Sequence, residues 1–441
     1  MKSKRIAALL ASGALLLAAA SCKPGEEASS SGGNGSSTGT ASSTTSAEPD
    51  FDPADRVVTP DSDIFNDGKM FGGTVVDYLW KTIWGENEDW DCLGQLRDNG
   101  MNWVRVGVLM QNNERLAETP VEDWKSLPMQ GWSTVEYAEA ILREAQEKGF
   151  RKNLFLFLSP EAASGAEQPA PKEWKGLTVE ETCEKLREYC YDITQYYVDK
   201  GLTIDLYDLG NEIERGILEF RPDERIERPE GLDIRNDIDW MRENVWNIEA
   251  QLLTAAVEGV RAADPDAKIN LHGSCFGLGV DNKLLRGFYQ AMVDYGVPFD
   301  VIGVSYYWNL IHEGDISVGQ PQPAYYTTDE FASFLDFCVN TLGKKFIFSE
   351  YVYPSMKLDS ITYGPDIGYP YDPAGQAAWM RDFLKYVNDT PEVSGCIYFY
   401  PEYYPTFQSD PQYAELNAWG LFNDLMKPNA ALKEFNAYKK P

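Results

Sequence analysis

The run Ile204-Asp205-Leu206-Tyr207-Asp208-Leu209-Gly210, with Asn211-Glu212 directly after it, sets the pattern for most of this chain. It is short, rich in strand-forming residues, and closes on a turn and a carboxylate. Seven further runs have the same character: Gly73–Val76, Trp103–Leu109, Asn153–Ser159, Lys268–Gly273, Val301–Tyr307, Lys345–Glu350 and Gly395–Tyr400. Several are almost continuously apolar, as parallel strands covered on both faces must be. Helical stretches lie between them. Tyr137–Lys148, Val179–Lys200, Ile248–Ala263, Lys283–Tyr295, Asp329–Leu342 and Ala374–Val387 carry apolar residues at three- and four-residue spacing. Two of these end in Lys148-Gly149 and Lys200-Gly201, a helix stop signal. The alternation predicts the α/β class, a single (β/α)8 TIM barrel with long βα loops. The alternative is a doubly wound open sheet. That fold would carry a glycine-rich phosphate loop after its first strand, and the sequence has none there.

Functional groups of such a barrel stand at the C-terminal ends of its strands. Strand two carries Arg105, strand four ends at Asn211-Glu212, and strand five ends at His272. Strand six ends Ser305-Tyr306-Tyr307-Trp308, strand seven Ser349-Glu350-Tyr351, and strand eight Tyr398-Phe399-Tyr400. Glu212 and Glu350 each follow an apolar strand and are expected to face into one mouth. Alone, a glutamate at a strand end reads as a surface ion pair or a helix cap. Two at matched ends supply what glycoside hydrolysis needs, one protonated carboxyl and one ionised. Asn211 is placed to donate to a sugar 2-hydroxyl. Arg105 and Tyr307 can hold Glu350 ionised, although Arg105 also reads as a structural ion-pair partner. Glu212, between apolar walls and near a like charge, is expected to have a raised pKa and act as the acid. His272 is expected to contact the sugar or Glu212, with a buried core histidine as the plain alternative.

Composition narrows the field. The chain has 441 residues, 43% apolar and 13% aromatic, with 12 Trp and 25 Tyr; many of these rings are core, and others suit sugar faces. A net charge of −30 excludes the basic face that nucleic acid requires and disfavours a polyanionic substrate, but not a neutral polymer. The only histidines are His272 and His312, too few for a multi-histidine metal centre or a choice of triads. Cys92, Cys183, Cys190, Cys275, Cys338 and Cys396 are scattered without a C-x-x-C pair, so no zinc site is expected, and most read as small buried side chains. Cys183 and Cys190 share a helix face two turns apart, too far to bridge.

The amino terminus reads as an address. Lys2, Lys4 and Arg5 precede an apolar stretch from Ile6 to Ala20, short for a membrane span, and Ala19-Ala20-Ser21-Cys22 follows. It resembles a bacterial lipoprotein signal, with Ala19 where Leu is usual; an ordinary signal peptide with a chance cysteine is the alternative. Residues 1–21 are thus read as a signal peptide and 22–50 as a lipid-anchored Ser/Gly/Thr linker. Residues 51–441 are read as the barrel domain. Cys22 is the expected lipidation site, at a bacterial cell surface or in the periplasm.

Gly210-Asn211-Glu212-Ile213 with Gly216 and Leu218, the run from Phe299 to Tyr307, and Glu350 followed by Tyr353-Pro354 resemble the motifs of glycoside hydrolase family 53, the endo-β-1,4-galactanases. Asn102–Arg105 and Ile269–His272 are similar to that family's strands two and five, and the resemblance runs from about Leu93 to Phe435. It implies a retaining clan A hydrolase with Glu212 as acid/base and Glu350 as nucleophile. It also implies a neutral plant β-galactan as substrate and Arg105, Asn211, His272, Tyr307, Trp308, Phe399 and Tyr400 around the sugar. No cofactor is required. Calcium occurs in some members, but no ligand motif for it is legible here. A monomer is expected. Strand two lacks the family's second Arg and its Trp, the run after strand six differs, and Phe399 stands where a Trp platform is usual. These changes bear on substrate choice. The competing functions are a clan A hydrolase for mannan, glucan or xylan, and a non-catalytic surface glycan-binding lipoprotein.

Overall fold

The computed structural model describes residues 64–439, apart from 66, 80–88, 111–132, 161–164, 166, 275–281, 308–327, 358–367 and 408–413. Cys22, the segments 1–21 and 22–50, the boundary at 51, Cys275, Trp308 and His312 therefore lie outside the described residues.

Eight parallel strands close on themselves in sequence order: β1 (Met70–Thr74), β2 (Trp103–Val108), β3 (Arg151–Leu156), β4 (Leu206–Leu209), β5 (Ile269–Gly273), β6 (Val301–Tyr306), β7 (Lys345–Tyr351) and β8 (Val393–Phe399). β1 pairs with β8, which closes the ring. A helix follows each strand: α1 (Cys92–Asp98), α2 (Val135–Glu147), α3 (Val179–Asp199), α4 (Asn247–Ala263), α5 (Asn282–Asp294), α6 (Asp329–Asp336), α7 (Pro373–Asp389) and α8 (Ala414–Trp419). The expected (β/α)8 barrel is the observed fold, and the open sheet is excluded by closure.

The differences from expectation have local causes. β1 begins and ends earlier than Gly73–Val76 because its glycines sit inside the strand, not at its edge. A Cβ on Gly73 would stand 2.7 Å from Pro401 Cγ, and one on Gly72 3.0 Å from Trp103 Cβ. β3 starts at Arg151, whose guanidinium pairs with Asp205, and the chain leaves strand geometry at Leu158, where φ is +54°. The segment expected as one helix to Leu342 is α-helical to Asp336 and continues as a π-helical turn over Phe337–Thr341. The α2 and α3 stops occur as read, with Gly149 and Gly201 at positive φ. α3 starts on a capping box, Thr178 with Glu181.

The barrel interior is layered. Met70, Trp103, Leu206, Val301, Ile347 and Ile397 form an apolar plug at its base, separate from the larger core between sheet and helices. Burying a side chain of this size contributes about 1.5–3 kcal/mol. Above the plug the interior turns polar with Arg105, Asn153, Asp208 and Asn270, each 0% exposed. Cys92, Cys190, Cys338 and Cys396 are buried and free, and Cys183 is half-buried and free. No described helix is long and apolar enough to cross a membrane.

Candidate active site

Strand alternation alone would not place Glu350 in the barrel mouth. Inward and outward side chains alternate along a strand, and Ser349 already points inward, where its hydroxyl meets Asn270 Nδ2 at 3.1 Å. The register of β6 on β7 shifts after Val304–Phe348, so that Ser305 pairs with Glu350 and Ser349 is skipped. That irregularity puts two consecutive β7 side chains on the inner face. Glu212 gets there by a different route. Beyond β4 the chain takes positive φ at Gly210 (+80°) and again at Glu212 (+52°). A Cβ at Gly210 would meet Ile213 Cγ2 at 2.4 Å, so this turn requires glycine.

The two carboxyls share a neighbour but not an environment. Ser305, the register partner of Glu350, donates from Oγ to Glu212 Oε1 at 2.9 Å. Glu350 is 2% exposed and accepts from Arg105 Nη1 at 2.7 Å and from Tyr307 Oη at 2.6 Å, one donor on each oxygen. The Arg105 contact is a charge-assisted hydrogen bond. Glu212 is 6% exposed and pairs with no cation among the described residues. Burial, then the charges of Glu350 and Glu214, push its pKa up to about 8, against opposing hydrogen bonds from Gly165 N–H and Ser305. At neutral pH Glu212 carries a proton.

Arg105 is both of the things expected of it. Its Nε pairs with Asp208 Oδ2 at 2.7 Å, its Nη1 pairs with Glu350, and its plane lies 4.0 Å over the Phe155 ring. Asp208 also accepts from Asn153 and Asn270 at 2.9 Å each, which completes a buried network beneath the mouth. His272 is 0% exposed and reaches Glu212 only through Ser305, not directly. Arg105 Nη2 lies 3.3 Å from Nδ1; arginine can only donate, so Nδ1 accepts and the ring proton sits on Nε2, facing Ser305 Oγ at 2.9 Å. Burial, and then the charge of Arg105, hold His272 well below its usual pKa, so the ring is neutral. Asn211 is 1% exposed beside Glu212, and its carbonyl accepts from Gln168 Nε2 at 2.6 Å. Phe399 packs against Tyr307 and Tyr400 at ring distances of 6.2 and 4.1 Å. Among the described residues no group of three His, Cys, Asp or Glu is arranged to hold a metal ion.

Two carboxyls with opposed surroundings, at the ends of β4 and β7, are the arrangement of a glycoside hydrolase. The sequence pattern of Glycosyl hydrolase family 53 matches residues 76–435. The chain belongs to that family. It is 24% identical over 328 residues to the endo-beta-1,4-galactanase of Bacillus subtilis, covering 71% of this chain and 64% of that protein. It is 23% identical over 333 residues to the arabinogalactan endo-beta-1,4-galactanase of Humicola insolens, covering 73% of this chain and 83% of that protein. The Ignisphaera aggregans GH53 catalytic domain superposes with a TM-score of 0.64 at 21% identity, over 87% of this chain and 100% of that domain.

Within this family 53 barrel, sequence reasoning missed Asp208, Asn153, Asn270, Ser305 and Glu214. The signal for the first three was a polar residue at alternate positions inside otherwise apolar strands. Glu214 had none: it lies two residues beyond Glu212, is 0% exposed, and accepts from Ser274 N–H at 2.9 Å and Ser274 Oγ at 2.6 Å.

Proposed function

We propose that this family 53 hydrolase is an extracellular, retaining endo-β-1,4-galactanase with Glu212 as acid/base and Glu350 as nucleophile. The observation that carries the reading is the contrast around Ser305: a buried Glu212 with no cation among its described neighbours on one side, and Glu350 with two donors on the other. In the first step Glu350 attacks the anomeric carbon while Glu212 gives its proton to the departing glycosidic oxygen. Glu212, now ionised, then takes a proton from water, which attacks the glycosyl–enzyme ester and frees Glu350. Asn211 donates to the sugar 2-hydroxyl, a bond that strengthens as positive charge grows on the ring. Arg105 and Tyr307 orient Glu350 for attack. The relatives named for galactan support that substrate, the arabinogalactan side chains of pectin being its plant source.

Residues 1–21 act as a lipoprotein signal, Cys22 takes the lipid, 22–50 form the tether, and 51–441 form a monomeric catalytic domain. Cys22→Ala is expected to move the protein from the membrane to the soluble fraction; unchanged fractionation contradicts the anchor.

The test of the chemistry is azide rescue with an activated aryl galactoside. Glu212→Ala with azide should give the β-glycosyl azide, because azide enters where Glu212 stood and opens the covalent intermediate. Glu350→Ala with azide should give the α-product, because azide replaces the nucleophile. The reverse assignment of products overturns the roles. A parallel screen of galactan, mannan, xylan and glucan tests the substrate, and turnover of another glycan without galactan overturns that part alone.

A further inference from the structure

Trp419 closes α8, and its surroundings set it apart. Its indole ring lies 6.1 Å from the Tyr307 ring at an interplanar angle of 36°, and 6.3 Å from the Phe399 ring at 59°. Tyr307 is the residue that donates to Glu350. Trp419 is 3% exposed, buried like Glu350 and Glu212. Its backbone is tightly held. The Trp419 carbonyl accepts from Tyr398 Oη at 2.6 Å and from Gln376 Nε2 at 3.1 Å, and a Cβ on the next residue, Gly420, would collide with Tyr403 O at 2.0 Å. The indole N–H, by contrast, has no hydrogen-bond partner among the described residues. The buried Trp246 shows the satisfied state, donating to Glu214 O at 2.9 Å. Trp90 and Trp379 share the unpaired N–H, but the rings they pack on are those of Tyr404, Phe407 and Phe422, and of Tyr351, Tyr353 and Phe383, not Tyr307.

A buried donor left without an acceptor is costly, and a ligand hydroxyl can supply the acceptor. At the strand-eight position where a Trp platform is usual, Phe399 offers a smaller face. We propose that Trp419 is a substrate-contact residue, its N–H donating to a hydroxyl of the sugar held over Glu350 and its ring extending the Tyr307–Phe399 face. This rests on the reading of the mouth as a glycosidase site. Trp419 thus enters the cleft from the segment after β8, not from the strand end.

The experiment measures oligosaccharide binding by calorimetry in the Glu350→Gln background, with galacto-, manno-, xylo- and gluco-oligosaccharides. Trp419→Phe keeps a ring and removes the donor, and it is expected to weaken binding about tenfold, as loss of one hydrogen bond does. Trp419→Tyr keeps a ring and a donor and retains more affinity. Adding Phe399→Trp to Trp419→Phe recovers part of the loss. With Glu350 intact, Trp419→Phe lowers kcat/KM per titrated active site by the same factor, at unchanged melting temperature. Trp419→Phe with unchanged affinity and unchanged kcat/KM overturns the proposal. If the protein binds and cuts a glycan other than galactan, the galactan reading fails, and the role of Trp419 is read on that glycan.

Discussion

Glu212 becomes an acid through what its neighbours lack. Among the described residues no cation touches it, while Glu350, with the Arg105 and Tyr307 donors, faces it across Ser305. Burial is the main cause of its raised pKa, followed by the negative charges of Glu350 and Glu214. Removing one of those charges should lower it. Glu214→Gln is therefore expected to move the alkaline limb of the kcat/KM profile to lower pH, because the acid loses its proton earlier. An unmoved limb would show that Glu214 only braces Ser274. Glu212→Ala should slow galactan cleavage by about 10²–10⁴-fold, the usual contribution of a general acid, and should slow bond cleavage far less for aryl glycosides whose leaving group needs no proton. At this scale a lone strand-end glutamate had other readings, and it was the pair at matched ends that pointed to the mouth, where the structure joins Glu350 to Tyr307 and Glu212 to Ser305. It was least legible for His272, whose strand-end place looked like a ligand contact but whose ring is sealed between Arg105 and Ser305.

The elements follow from periodicity, but their joints do not. Short strand-forming runs marked the eight strands, though β1 starts three residues earlier than read, and the Lys-Gly stops located two helix ends. The register shift between β6 and β7 leaves no mark in the sequence, because it arises from pairing between distant segments. Without it Glu350 would alternate outward, so the most consequential feature of β7 is a tertiary one. Close approach between helices has a similar signature. Gly259 on α4 sits where a Cβ would be 2.3 Å from Arg187 O and 3.0 Å from Cys190 Cβ, both on α3. Gly259→Ala should push the two helices apart and cost about 1–3 kcal/mol of stability, the range for overpacked sites. Urea unfolding midpoints measure this, and a midpoint at or above that of the parent would contradict the tight α3–α4 seam.

For the whole molecule, buried carboxyls tie stability to pH. Glu212 and Glu402 are both pushed up to about 8, Glu402 by burial and the charge of Asp77. Glu249, 0% exposed and without a hydrogen-bond partner among the described residues, is likewise raised well above the usual carboxylate range by burial and by Glu214. In the window from about pH 4.5 to 8 the folded chain holds these protons and the unfolded chain does not, so stability falls as pH rises. Glu212 and Glu402 both contribute to that fall across the window. The opposite case is Glu139, held down to about 2 by hydrogen bonds from Tyr196, Arg143 and Lys200 against partial burial; its contribution is lost only as pH falls below about 4.5. The melting temperature is therefore expected to be higher at pH 5 than at pH 8, a direction that the net charge of −30 reinforces through self-repulsion. A higher melting temperature at pH 8 would place those buried carboxyls in contact with water.

The central claim is that Glu350 attacks the sugar directly and Glu212 serves it as acid and then base. Proton NMR of the first products released from β-1,4-galactan tests this most directly. The account predicts β-anomers first, relaxing to the α/β mixture by mutarotation. α-Anomers appearing first would mean that water, not Glu350, attacks the anomeric carbon.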